Sequence, residues 1–123
     1  MKELIWHRQL LPALMRHGNR PFLADTSTGA RTTYAEHGSR VLKLAHALRH
    51  QLGVQAEDRF AVLSLNSPRF EELYHAGLLG AGVVNPLNLR FAPRELTHVL
   101  ADSGTKVVFC DATFAPVIEQ VRA

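Results

Sequence analysis

Arg59-Phe60-Ala61-Val62-Leu63-Ser64-Leu65 runs straight into Asn66-Ser67-Pro68-Arg69-Phe70-Glu71-Glu72, and the join between these two segments decides the fold. The first segment is almost continuously apolar. A strand with one wet face alternates apolar and polar residues, so an unbroken run predicts a strand covered on both faces. The second segment opens a helix. Ser67 can accept orphan backbone amides, Pro68 presets the first turn, and Glu71 and Glu72 face the positive end of the helix dipole. The core stripe expected for this helix is Phe70, Leu73, Tyr74, Gly77, Leu78 and Ala81.

Downstream, the same alternation repeats. Val83-Val84-Asn85 predicts a short buried strand, and Pro93 starts a helix carrying Leu96, Val99 and Leu100 that Asp102-Ser103-Gly104 ends. Lys106–Cys110 predicts another buried strand, and Phe114, Val117, Ile118 and Val121 stripe a last helix. Upstream, Thr33-Tyr34-Ala35-Glu36 has the spacing of a capping box. A long helix is expected from there to about Leu52, with Val41, Leu44, Ala45, Leu48 and Leu52 on one stripe and Gly53 as the stop. Pro21–Asp25 and Ala30–Thr33, joined by Thr26-Ser27-Thr28-Gly29, read as a hairpin. Residues 3–17 place Leu4, Leu11, Leu14 and Met15 at near-helical spacing, with Pro12 expected to restart that helix rather than sit inside it. The fold class is therefore α/β: a mostly parallel sheet with helices on both faces, preceded by an N-terminal helix and a short β-hairpin.

Bulk composition agrees with this reading. The 123 residues have room for one domain, and 46% apolar with 20% charged residues suits a globular chain rather than a disordered one. The net charge is +3, and 11 of the 14 basic residues are Arg. These are scattered among 11 acidic residues without a like-charge run, which argues against nucleic acid as a partner. No apolar run approaches the ~20 residues of a transmembrane helix. The N-terminus lacks the basic-then-apolar layout of a signal peptide, and a single cysteine, Cys110, excludes an internal disulfide. A cytoplasmic setting is expected.

Several residues invite a chemical role. Gly77, Gly80 and Gly82 fall at the end of a helix, whereas a phosphate loop follows a strand and opens a helix; close packing and a helix stop explain them better. His46 and His50 share a helix face at i, i+4, but Ala47, Leu48 and Arg49 intervene where a metalloprotease motif needs its Glu, so a solvated face is expected and no metal site is assigned. Cys110 reads as an inert core thiol. Asp111 could cap the next helix; the alternative, a catalytic carboxylate, has no support in the sequence. Trp6 and Tyr74 read as core or interface aromatics. Ligands of open parallel sheets bind outside the carboxyl ends of the strands, which directs attention to Asn66-Ser67 and to Asn85-Pro86-Leu87-Asn88-Leu89-Arg90. These loops could hold a small polar or phosphorylated group; alternatively Asn and Pro shape turns and Arg90 is solvated.

The stretch Asp58–Phe70 resembles the early strand and helix of acyl-CoA synthetases of the adenylate-forming, AMP-binding superfamily. So do Gly80-Ala81-Gly82-Val83-Val84-Asn85-Pro86-Leu87-Asn88-Leu89-Arg90 through Leu96, the Thr33–Glu36 helix start, and Asp102-Ser103 through Lys106-Val107-Val108. The resemblance covers about residues 20–112. It implies an acid–thiol ligase: a carboxylate attacks the α-phosphate of ATP to give an acyl-adenylate, with Mg²⁺ neutralising phosphate charge, and the thiol of CoA then displaces AMP. In the family these tasks fall to a Ser/Thr/Gly-rich loop ending in Lys, an acidic ribose-binding motif and a C-terminal lysine, none of which occurs in these 123 residues. Residues 1–123 are thus expected to be a partial N-terminal domain, a fragment of a larger one, without catalytic residues and without tight binding of ATP, Mg²⁺ or CoA. The resemblance further implies that Asn88, Leu89 and Arg90 lie near the nucleotide end of CoA, with Arg90 meeting a CoA phosphate. The partner expected for the whole enzyme is a small carboxylic acid. The alternative is a free-standing α/β module for protein interaction or small-ligand binding. A sheet cut from a larger one exposes edges, so the chain is expected to self-associate as a homodimer or higher species.

Overall fold

A computed structural model describes residues 6–122. The chain runs α1 (Trp6–Arg16), β1 (Pro21–Ala24), β2 (Arg31–Thr33), α2 (Tyr34–His50), β3 (Arg59–Leu63), α3 (Pro68–Ala76), β4 (Val83–Pro86), α4 (Pro93–Asp102), β5 (Val107–Cys110) and α5 (Ala115–Arg122). β1 and β2 form the antiparallel hairpin, while β3, β4 and β5 make a parallel sheet in the order β4-β3-β5.

The central strand behaves as its unbroken apolar run dictates. Phe60, Ala61, Val62 and Leu63 are all at most 1% exposed. Because side chains alternate across a strand, they divide between two cores. Phe60 and Val62 pack with Val41, Leu48, Val54, Leu73 and Ala76 under α2 and α3. Ala61 and Leu63 pack with Leu87 and Leu96, flanked by Phe114, Val117, Ile118 and Val121 of α5 and the turn before it. Both faces are thus covered. The chain moves from β3 to one neighbour through α3, then back past β3 to the other neighbour through α4. Reversing direction while keeping right-handed crossovers requires the two helices to lie on opposite faces.

Local signals that depend only on near neighbours are realised. Thr33 Oγ1 accepts from the Glu36 amide at 3.2 Å and Glu36 Oε2 accepts from the Thr33 amide at 2.8 Å, completing the capping box of α2. Ser67 Oγ accepts from the Phe70 amide at 3.2 Å at the start of α3. α4 uses half of such a box, with Glu95 Oε2 accepting from the Ala92 amide at 2.7 Å. α3 ends in one π-helical turn, Gly77–Ala81, which Gly80 breaks at φ 86°. Gly82, at φ 153°, is required by close approach: a Cβ there would sit 2.8 Å from Val54 Cγ1 and 3.1 Å from Phe60 Cδ1.

Other expectations are corrected. Pro12 lies inside α1, which continues through it despite the lost hydrogen bond. The buried residues of α1 are Leu10 and Leu14, whereas Met15 is 82% exposed; Leu4 and the side chain of Trp6 lie outside the described residues. α2 ends at His50 and leaves Leu52 exposed, because Gly53 turns the chain at φ 67°. Tyr74 is exposed, and α3 instead buries Glu72, Leu73 and Ala76. Neither β4 nor β5 is fully buried: Val83 is exposed, β5 is half-buried, and Cys110 is an exposed thiol rather than a core one. Each flanks β3 on one side only, so its outer side has no strand across it among the described residues.

Candidate functional site at the carboxyl rim of the sheet

The parallel strands all end on one rim. There the chain leaving β3 turns to the face covered by α3, whereas the chains leaving β4 and β5 turn to the face covered by α4 and α5. Diverging connections open a crevice outside the strand ends, where ligands of open α/β sheets are seated.

On the β4 side, Leu87 closes the base of the crevice: its amide donates to the Val62 carbonyl at 2.9 Å and its side chain is buried. Asn88 then shapes the turn. Its Oδ1 accepts from the Arg90 amide at 3.0 Å and its carbonyl from the Phe91 amide at 3.1 Å. This is the local amide mimicry for which Asn is favoured in turns. The side chains of Asn88, Leu89 and Arg90 are exposed at the rim. Asn85 is not part of this group, since its side-chain amide donates to Ser103 Oγ at 3.3 Å.

On the β5 side, Asp111 does not cap the helical turn that follows it. Its carboxylate reaches across the crevice instead. Oδ2 accepts from Ser64 Oγ at 2.9 Å and from the Leu65 amide at 2.9 Å, while the Asp111 amide donates to the Leu63 carbonyl at 3.2 Å. Asn66 and Ser67 follow directly on the tethered segment, Asn66 exposed and Ser67 spent on its cap.

Beside the start of α3 lies an ionic cluster that periodicity alone did not single out. Glu72, 8% exposed at its side chain, takes a two-pronged contact from Arg40: Nε meets Oε1, and Nη2 meets Oε2 at 3.1 Å. Arg69 Nη1 adds a contact to Oε2 at 3.3 Å. Next to it His37 Nε2 and His75 Nδ1 stand 2.7 Å apart, with Phe22 of the hairpin stacked on His37 at 4.2 Å between centroids. Glu71 Oε1 lies 3.4 Å from His75 Nε2. Burial, then the neighbouring His75 and the Arg40 cation, hold the His37 pKa down at about 4 against the opposing pull of Glu72. Burial also lowers His75, partly offset by Glu71. A signal for His37 was present, since it lies four residues before Val41 on the same stripe. Glu72 had the equivalent signal, being adjacent to Leu73 and four residues before Ala76. A groove of about 860 Å³ adjoins this cluster, with Arg31, Arg40, Arg69, Ser67 and Glu72 in its wall.

The rings of His46 and His50 lie 4.4 Å apart, tilted at 39°, on the exposed side of α2. Among the described residues no three His, Cys, Asp or Glu side chains come together to hold a metal ion. No helix among them is long and apolar enough to cross a membrane. The rim offers an exposed guanidinium, side-chain amides and one tethering carboxylate. Such a set can seat and orient an anionic group.

The sequence pattern of AMP-binding enzymes matches residues 12–123, which takes in both core clusters and the whole rim. The chain belongs to the AMP-binding enzyme family. It is 38% identical over 99 residues to long-chain-fatty-acid–CoA ligase FadD13 of Mycobacterium tuberculosis, covering 80% of this chain and 20% of that protein. It is 42% identical over 96 residues to feruloyl-CoA synthase of an Amycolatopsis species, covering 77% and 19% respectively. The N-terminal domain of FACL13 from Mycobacterium tuberculosis superposes with a TM-score of 0.89 at 33% identity, over 96% of this chain and 29% of that one. The chain thus spans about a fifth of the length of the curated relatives it matches. Its parallel sheet and two-sided helical cover are those of acyl-CoA ligase N-terminal domains.

Proposed function

We propose that residues 1–123 are the front part of an ATP-dependent acyl-CoA ligase. In its first step a carboxylate attacks the α-phosphate of ATP, forming acyl-AMP and releasing pyrophosphate. In the second, the thiol of CoA attacks the acyl carbonyl and AMP leaves. The observation that carries this reading is the family match over residues 12–123, joined to relatives named as CoA ligases. The substrate class is a small carboxylic acid, and the setting is the cytoplasm.

Within that reaction this segment binds rather than reacts. Arg90, exposed on a turn that Asn88 holds in shape, fits a phosphate at the nucleotide end of CoA, with Leu89 beside it. The donor set suits an anion, because a guanidinium presents paired N–H groups to phosphate oxygens. Mg²⁺ would neutralise phosphate charge in the adenylation step, and no residue of this chain is assigned to it. The 123-residue chain is inactive by itself.

The test is adenylate formation by the full-length protein, followed as acid-dependent pyrophosphate exchange into ATP, and then CoA-dependent release of AMP. Arg90→Ala is expected to raise the KM for CoA about tenfold, the scale of one lost charge-assisted hydrogen bond, with pyrophosphate exchange unchanged. A full-length protein inert toward ATP across aliphatic and aromatic acids would overturn the reaction. An unchanged KM for CoA would remove Arg90 from the site, and acyl-AMP formation by the 123-residue chain would overturn its inactivity.

A further inference from the structure

We propose that Asp111 is a positioning residue, acting as a neutral-replaceable acceptor that fastens the β3–α3 loop across the crevice and so holds Asn66 and Ser67 in place for the ligand at the rim. Three observations converge on it. The residue stands at the start of a helical turn yet makes no cap there. One oxygen, Oδ2, accepts from the Leu65 amide at 2.9 Å and lies 2.9 Å from Ser64 Oγ, whose single proton is shared between it and the Leu65 carbonyl at 2.8 Å. Its own amide is anchored to the Leu63 carbonyl at 3.2 Å, so the side chain projects from a fixed point on the neighbouring strand end.

Apart from the contact of Ser64 Oγ with the Leu65 carbonyl inside the loop, the side-chain bonds that tie Ser64 and Leu65 to another element among the described residues are those to Asp111. Leu65 and Asn66 are exposed, and Leu65, 57% exposed, anchors no core. Ser67 is committed to the α3 cap, so its position depends on where α3 begins. The β3 connection is also the one that departs to the opposite face from both neighbours. The β3–β5 ladder ends at Leu63 and the Asp111 amide, so past that point the Asp111 side chain is what ties Ser64 and Leu65 to the β5 side. A ligand meeting the Asn66–Ser67 loop requires that loop to be held before binding, since ordering a loop on binding costs affinity.

Because both donors converge on a single oxygen, an amide oxygen can replace it. Asp111→Asn should therefore keep the tether, while Asp111→Ala removes it. The inference extends the ligase reading, and its test has two arms. In the first, amide hydrogen exchange of Leu65 is measured by NMR in the 123-residue chain. Asp111→Ala is expected to speed exchange at least tenfold, with Asp111→Asn within threefold of the parent and Ser64→Ala intermediate. In the second, the full-length protein carrying Asp111→Ala is expected to show a KM for CoA raised about fivefold with kcat changed less than twofold, and Asp111→Asn to restore it. Leu65 exchange unchanged in Asp111→Ala would overturn the tether. Asp111→Asn as impaired as Asp111→Ala would overturn its action as a replaceable acceptor. A fall in kcat with KM unchanged would overturn ligand positioning. Inactivity of the unmutated full-length protein would count against the ligase reading alone, and the exchange arm would still decide the tether.

Discussion

β3 and its neighbours are written in almost the same alphabet, yet they live in different environments. Phe60, Ala61, Val62 and Leu63 are shielded on both faces and both edges, whereas Val83 in β4 is 46% exposed and no residue of β5 is fully buried. An apolar run of four or five residues states that a strand can be buried. Which strand is buried follows from the order β4-β3-β5, in which only β3 has a partner on each side. Composition sets the capacity for burial, and position in the sheet sets how much of it is used.

The comparison can be broken most directly at Phe60. Truncation to Ala leaves a cavity between α2, α3 and the sheet, beside Phe109, whose ring stands edge-on at 6.1 Å. A loss of about 3–5 kcal/mol is expected from urea unfolding. The matching change on the flank, Val83→Ala, should stay within about 0.5 kcal/mol. Similar losses at the two positions would mean that β4 is as buried as β3.

The polar layer outside the sheet sharpens the contrast with a smaller effect. The unfolded chain protonates His37 near pH 6.5, while the folded chain, with its pKa held down at about 4, does not. The unfolded state therefore gains protons first as pH falls, and stability drops between about pH 6.5 and 4 while remaining flat above that window. A loss on the order of 2 kcal/mol by pH 4 is expected. His37→Phe, which keeps the stack on Phe22 without a titrating ring, should flatten most of that slope. Equal slopes in the two proteins would remove His37 as its source.

The smallest effect concerns association rather than folding. With the outer sides of β4 and β5 unpaired among the described residues, self-association of the 123-residue chain is expected at high concentration. Val83→Lys, an edge charge of the kind that discourages strand pairing, should lower the weight-average mass seen in sedimentation without changing stability by more than about 0.5 kcal/mol. A parent chain that stays monomeric throughout would show that the flanks are blunted already.

The sequence by itself determined the features whose causes lie within a few residues. The Thr33–Glu36 box, the Ser67 cap, the hairpin around Gly29 and the strand–helix alternation all rest on local hydrogen bonds and periodicity. It also carried the family resemblance and pointed to the Asn88–Arg90 turn. Tertiary structure alone decided the exposure of Cys110, the pairing of Glu72 with Arg40 across 32 residues, the His37–His75 contact across 38, and the reach of Asp111 to Ser64 across 47. The physical reason is that burial and long-range pairing are properties of strand order and helix placement. Residues far apart in the chain meet only once the sheet has brought its strand ends to one rim.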